Sequence, residues 1–361
     1  MTLLKKVIVL VVAFSLQQMQ AMQVVKNICQ KVSSWCKSRC CGKVTRDPNR
    51  RGYANGDRRR DEERALVKIA QAVQIEIGHA QCKCKEEDAF CIVRQKSQDV
   101  VGVFDGHTIT KSPCLAQEAA DRLFGCMNEK TADSDTGIAE RIKDYFNQTE
   151  LYFSTRQDAN LSGICAVAAA IQCVEQHGRA KLKITIANLG DCRAVLYQGR
   201  EVLLATRDHK PDDKGERERI ERAGGSVEKG GLELGDAFRV GGWYGCSRSL
   251  GDYYWKGGSS SKGLVKGLSA EPEFYEYVAE EFDNFYMVLA SDGVWDVLTS
   301  GVLGMLASAC FQEGYSTQQV ADFLIKEAAL ISRASYNDLQ PHEQVHDDMT
   351  LIVVRPTWKR G

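Results

Sequence analysis

Asp105, Gly106 and His107 stand where an apolar run, Val100, Val101, Val103 and Phe104, comes to its end. Carboxylates recur beside other apolar runs: Glu87-Asp88 upstream, Ser291-Asp292-Gly293 after the run from Asn284 to Ala290, and Asp347-Asp348 before the run from Met349 to Val354. Four acidic points, each beside a strand-like segment, suggest a metal site assembled by folding. Hard divalent cations such as magnesium and manganese prefer oxygen ligands, and a pair of them can activate water for attack on phosphorus. A glycine after a ligand aspartate lets the backbone turn and bring its own carbonyl toward a cation, an option at Asp105-Gly106 and Asp292-Gly293. A histidine beside such a cluster titrates near neutrality and can donate a proton to a departing alkoxide. Taken singly, each feature has a plainer reading, since Asp-Gly is a common turn dipeptide. A lone histidine is more often a hydrogen-bonded surface or core residue, so the joint pattern carries the weight.

The elements that must position these groups are readable in outline. From Val67 to Arg355 short β-like runs alternate with helical ones, with no long low-complexity break, which argues for one domain. Lys181 to Ala187, Arg193 to Tyr197 and Glu201 to Thr206, separated by short Gly-containing loops, predict an antiparallel meander. Apolar spacing of three and four predicts helices over Pro113 to Asn128, Gly137 to Phe153 and Thr317 to Ser332. In the second, Ile138, Ile142, Tyr145, Phe146 and Leu151 are expected along one stripe. A charged helix, Asp212 to Ala223, stops at Gly224-Gly225. Antiparallel strands with separate helices indicate an α+β domain whose helices cover its sheets. Met349 to Val354 and Asn284 to Ala290 read as strands, so Asp105, Asp292 and Asp347 all fall at strand ends or starts.

The chain has 361 residues, 43% of them hydrophobic and 26% charged, the balance of a soluble globular protein with a sizeable core. A formal net charge of −1 gives no global attraction to nucleic acid or anionic membrane. Met1 to Ala21 reads as a signal peptide, with Lys5 and Lys6 before the apolar run Val7 to Leu16; an N-terminal anchor or a helix packed on the domain are the alternatives. The first reading implies the secretory pathway and the others a cytoplasmic or membrane-associated protein. Residues 22–64 read as a linker rich in cysteine and basic residues; it is either a plain solvated connector or a contact for a membrane or another anionic partner. Of the 14 cysteines, Cys29, Cys36, Cys40 and Cys41 lie there. They could pair in an oxidising compartment or carry acyl chains, but no recurring Cys-x-x-Cys supports zinc. Cys91, Cys165, Cys173, Cys192, Cys246 and Cys310 are expected as buried free thiols.

From Glu86 to Val354 the chain resembles the PPM-type, metal-dependent serine/threonine phosphatases, the protein phosphatase 2C family. The matching segments come in the family's order: Glu87-Asp88-Ala89-Phe90, Val103-Phe104-Asp105-Gly106-His107, Ser162-Gly163 and Ala187-Asn188-Leu189-Gly190-Asp191-Cys192-Arg193-Ala194-Val195. Asp208-His209-Lys210-Pro211, Glu221-Arg222-Ala223-Gly224-Gly225 and Ser247-Arg248-Ser249-Leu250-Gly251-Asp252 follow. Leu289-Ala290-Ser291-Asp292-Gly293-Val294-Trp295-Asp296 and Asp347-Asp348-Met349-Thr350 complete the series. The resemblance implies a domain over residues 65–356 made of two stacked antiparallel sheets flanked by helices, an αββα sandwich with two Mg2+ or Mn2+ ions at one edge.

Carried over position by position, Asp105 would bridge both ions, Asp292 and Asp347 would complete one site, and Glu87 with the Gly106 carbonyl would serve the other. Asp88 would orient bound water. A water between the ions would attack phosphorus in line, with His107 protonating the leaving serine or threonine oxygen and no phosphoenzyme forming.

Three departures from the family pattern bear on activity. Lys83 replaces a phosphate-gripping arginine, offering a point charge and not a bidentate fork. Asp348 replaces an asparagine and is expected to add negative charge beside the metal. For a weaker third ion, Asp296 matches one ligand; Asn160 takes the place of another, with Asp158 close enough to substitute. Asp191 and Asp252 read as turn and salt-bridge residues, the latter beside Arg248. The implied partners are phosphorylated proteins, with no specific nucleic acid and a monomeric state expected. The rival class is a catalytically impaired phosphatase-like binding or regulatory module, but all four metal carboxylates are retained. A nuclease would want a basic groove interleaved with aromatics, and the basic residues gather instead in the linker.

Overall fold

The computed structural model describes residues 73–95, 98–108, 115–128, 137–176, 179–230, 237–256, 266–279, 284–337 and 347–358. The expectations for residues 1–64 lie outside them. One sheet holds β1 (Val73–Cys82), β13 (Met349–Trp358), β12 (Phe285–Ala290), β6 (Arg193–Gln198) and β7 (Glu201–Ala205), hydrogen-bonded in that order. The other runs β11 (Glu273–Ala279), β5 (Arg179–Leu189), β4 (Ser162–Gln176), β3 (Gln98–Thr108) and β2 (Asp88–Arg94), with β10 (Leu250–Gly251) on β4. A separate hairpin joins β8 (Val227–Lys229) and β9 (Phe238–Val240). Every pairing of these strands is antiparallel.

Alternation along the central strands builds two cores at once, because successive side chains leave opposite faces of a strand. Val101 and Val103 of β3, with Val167, Ala169 and Ile171 of β4, meet Met287, Leu289, Ile352 and Val354 across the sandwich. Val100, Phe104, Ala166, Ala168 and Ala170 point outward, onto α1 (Leu115–Asn128) and α2 (Ile138–Phe153). The alanine row lets those helices approach closely. On the far face Val288, Leu351 and Val353 pack against α5 (Ser300–Gln312) and α6 (Thr317–Asn337). The remaining helices are α3 (Lys214–Arg222) and the single turn α4 (Asp292–Trp295). The layers are therefore helix, sheet, sheet, helix, as the α+β reading expects.

Two local expectations fail. The three apolar runs from Lys181 to Thr206 do not form one meander: β5 already has β4 on one side and β11 on the other, so the chain crosses at Gly190-Asp191 to place β6 and β7 in the opposite sheet. Leu151 leaves the buried stripe of α2 and is 70% exposed. The stripe continues instead through Thr149 and Phe153, and at 100° per residue Leu151 falls on the opposite side.

Candidate active site

The β2–β3 ladder sets Asp88 directly opposite Asp105. Just before β2, the carbonyl of Glu87 accepts the Gly106 N–H at 3.2 Å. A Cβ on Gly106 would sit 2.5 Å from that carbonyl oxygen, so only glycine permits the approach. In the facing sheet, β12 ends at Ala290 opposite Leu351 of β13, which brings Ser291-Asp292 beside Asp347-Asp348. A Cβ on Gly293 would lie 2.1 Å from the Asp348 carbonyl oxygen, the same close packing of backbones. Ser291 ties the two sheets together: its hydroxyl donates to Asp88 Oδ2 at 2.8 Å and accepts the Thr350 N–H at 3.0 Å. Because β2 and β13 start where β3, β5 and β12 end, the carboxylates gather at one end of the sandwich.

Their mutual field is strong. Burial, and then Asp292, Asp88, Asp191 and Asp347, push the Asp105 carboxyl well above the usual range. Burial raises Asp88 to about 7 against hydrogen bonds from Ser291 and Thr350. Asp292 also rises to about 7, through burial and the charges of Asp191, Asp296 and Asp347. Glu87, half-buried, is raised by burial in spite of Lys85. Asp88 Oδ1 is buried without a hydrogen-bond partner. Converging oxygen donors that resist ionising together, with one oxygen orphaned, form a set that a hard divalent cation satisfies.

Lys83 is exposed one residue past β1. Lys85, which the sequence reading passed over, does face the carboxylates. Its Nζ lies 3.0 Å from Asp347 Oδ1; burial opposes its charge, but Asp347, Glu87 and Asp105 together hold its pKa up. A lysine two residues before Glu87 was the available signal. Asp348 adds its charge to the cluster, acting on Glu87 and Asp88, and its carboxylate also accepts backbone N–H groups of Cys84, of Lys85 at 2.7 Å, of Glu87 at 2.6 Å and of Asp88 at 3.2 Å. Burial opposes its ionisation, yet those four donors keep its carboxyl below the usual range. Asp348 thus pins the loop that carries Lys85 and Glu87.

The residues expected to hold a third ion come from two segments of the chain. Asp296 lies one helical turn beyond Asp292, its N–H donating to the Asp292 carbonyl at 2.8 Å, and its charge acts on Asp292. Asp158 and Asn160 sit in a 3-10 turn before β4, where Asp158 forms a two-pronged pair with Arg156 at 2.9 and 2.5 Å. Asp347 acts on both Asp292 and Asp296, and so does Asp191, just past the end of β5. Burial opposes its charge, but the Lys210 ammonium holds it at about 2. The Asp208-His209-Lys210 segment locks this corner. Asp208 pairs with Arg193 at 2.6 and 2.8 Å, and His209 Nδ1 accepts the Gly190 N–H at 3.0 Å.

Asp252 is not beside Arg248 in the expected pair. Arg248 instead reaches Glu216, which also binds Arg219 and Ser247. Asp252, in the left-handed conformation at φ 58° and buried, turns to His107, with Oδ2 3.0 Å from Nε2. Tyr244 Oη meets the same His107 nitrogen and the same Asp252 oxygen, and Ser249 donates to that oxygen at 2.7 Å. Burial works against an imidazolium at His107, but Asp252 outweighs it and raises the pKa. Tyr244 carried no signal in the sequence, because residues 241–247 match no periodic element.

Fold and site together define an αββα sandwich with an oxygen-rich cation site and a histidine beside it. Comparison with known proteins agrees: the family model "Protein phosphatase 2C" matches residues 70–335, and the chain belongs to that family. It is 36% identical over 255 residues to probable protein phosphatase 2C 59 of Oryza sativa subsp. japonica, covering 70% of this chain and 65% of the relative. It is 34% identical over 210 residues to probable protein phosphatase 2C 14 of Arabidopsis thaliana, covering 58% and 42%. Against protein phosphatase 1B of Mus musculus the identity is 29% over 239 residues, covering 65% and 53%. The chain thus spans roughly half to two thirds of these relatives' own length. In fold it matches a phosphatase from a pathogenic strain of Toxoplasma gondii, with a TM-score of 0.58 at 20% identity, over 79% of this chain and 98% of the other.

Proposed function

We infer that the protein hydrolyses phosphoserine and phosphothreonine esters in proteins with the help of divalent cations. The observation that carries this reading is the convergence of Asp105, Asp88, Asp292 and Asp347 from both sheets, next to His107. Glu87, Asp105, Asp292 and Asp347, with the Gly106 carbonyl, would hold two Mg2+ or Mn2+ ions, and a weaker third would fall to Asp296 with Asp158 or Asn160. When bound, such ions supply positive charge to the phosphoryl oxygens and make water a better nucleophile at neutral pH.

The chain's own residues do the rest. Asp88, fixed by Ser291, keeps one oxygen turned inward with no protein partner, placed to accept from and orient a water. Lys85 and Lys83 offer ammonium groups to the phosphate. His107, whose pKa Asp252 raises, delivers its proton to the serine or threonine oxygen as the P–O bond breaks. No side chain attacks phosphorus, so no phosphoenzyme is required. A phosphothreonine peptide incubated with Mn2+ or Mg2+, with and without chelator, tests the reading. Phosphate release only with metal supports it; a folded, metal-loaded protein that releases none points to a binding module. For residues 1–21 the reading remains a signal segment, tested by whether their fusion to a reporter directs secretion.

A further inference from the structure

Folding assembles a second set of candidate ligands that the sequence spacing did not announce. Cys165 Sγ lies 3.6 Å from Cys246 Sγ, and Cys246 Sγ lies 3.0 Å from Asp191 Oδ2. The ligand atoms of these three residues all fall within 4.8 Å of one another. We propose that Cys165, Cys246 and Asp191 form a binding site for a thiophilic divalent cation of the zinc and cadmium class. Tetrahedral zinc with Zn–S bonds of about 2.3 Å places two sulfurs roughly 3.8 Å apart, close to the spacing already present.

The surroundings are built to leave the sulfurs in place. Cys165 lies on the central strand β4, in register with Asp105 of β3, and is buried. Gly190 at φ 90° makes room for its thiol, since a Cβ there would come within 2.2 Å of Sγ. Cys246 arrives from residues 241–247, the segment that also brings Tyr244 to His107. Binding breaks two S–H bonds and forms two metal–sulfur bonds, and the two protons leave to the buffer. Asp191 exchanges its Lys210 partner for the cation. An ion held here would fasten the 241–247 segment to β4 and draw Asp191 away from Asp292 and Asp296.

The site differs from the carboxylate cluster in ligand chemistry, and sulfur gives it a separate signature. The full chain, reduced and held in excess Mg2+ to fill oxygen sites, is titrated with Cd2+ or Co2+ while thiolate charge-transfer absorption is followed in the ultraviolet. The expected result is a band that saturates at one equivalent, disappears in Cys165→Ser and in Cys246→Ala, and persists in Cys84→Ser. Asp191→Asn, which keeps both sulfurs, should weaken binding by at least about tenfold, the least that loss of even an outer-shell partner costs a metal site. If Cys165→Ser does not fold, judged by circular dichroism, the half-exposed Cys246 variant decides alone. A band of equal size and affinity in Cys246→Ala would overturn the proposal. Because absorbance and not turnover is read, the outcome is independent of the phosphatase reading.

Discussion

Asp252 raises the pKa of His107, and that dependence can be measured. A raised histidine pKa means that the proton is kept to higher pH, so activity that needs the acid declines only as pH climbs through the raised value. Asp252→Asn removes the carboxylate charge and should move the alkaline limb of the phosphopeptide pH profile downward. Hydrolysis of p-nitrophenyl phosphate, whose leaving group needs little protonation, should keep its limb. Equal shifts for both substrates would show that Asp252 acts through the metal cluster and not through His107. The residue-level reading of the sequence placed Asp105 and Asp292 near strand ends, and the structure puts them there. The reading missed Lys85 and Tyr244 because their roles depend on where a loop lands. It also misplaced the partners of Asp252, because Arg248 is nearer in sequence but is taken by Glu216.

Among the elements, the β2–β3 hairpin is the one the site can least afford to have moved. Gly106→Ala would force the Cβ and the Glu87 carbonyl apart, costing about 1–3 kcal/mol, the usual range for overpacking. A drop in thermal midpoint and weaker metal activation should therefore appear together; an unchanged midpoint would refute the close contact. Strand periodicity made β3, β12 and β13 legible because each is bounded by a motif and has apolar residues on both faces. The meander was misread for a physical reason: short loops show that strands are consecutive, but sheet membership depends on which edges other strands already occupy. Neither β4 nor α5 was foreseen. The Ala-rich β4 lacks the β-branched density that marks a strand, and α5 is apolar on most sides.

Across the whole molecule, two buried charge clusters pull stability in opposite directions. Without cations, Asp88 and Asp292 keep protons in the folded state up to about 7 that the unfolded chain releases near 4. Folded-state proton uptake in that window means that stability falls as pH rises through it. His209, held down to about 4 by burial, opposes the trend until about 6.5, and the fall ends as Asp88 and Asp292 give up their protons above about 7. Chelated protein should thus lose stability from pH 6.5 to 7.5, on the order of 1 kcal/mol per pH unit. Saturating Mg2+ should flatten the slope, as thermal melts in the two conditions would record. The other cluster is structural: Glu216 is buried against Arg219, Arg248 and Ser247. Glu216→Ala strands two guanidinium groups and should cost about 3–5 kcal/mol in a denaturant titration.

Both sheets contribute carboxylates to the cluster, and Asp105 feels more of the others than any single pairing could supply. Replacing it by asparagine keeps the shape and removes the charge. The decisive measurement is phosphate release from a phosphothreonine peptide by the wild-type protein and Asp105→Asn, each with saturating Mn2+ and each shown to be folded. The account predicts turnover that chelator abolishes in the wild type and a loss of at least about a hundredfold in the variant, as expected when a charged centre of transition-state stabilisation is removed. Equal rates for the two proteins, or metal-independent turnover, would contradict it.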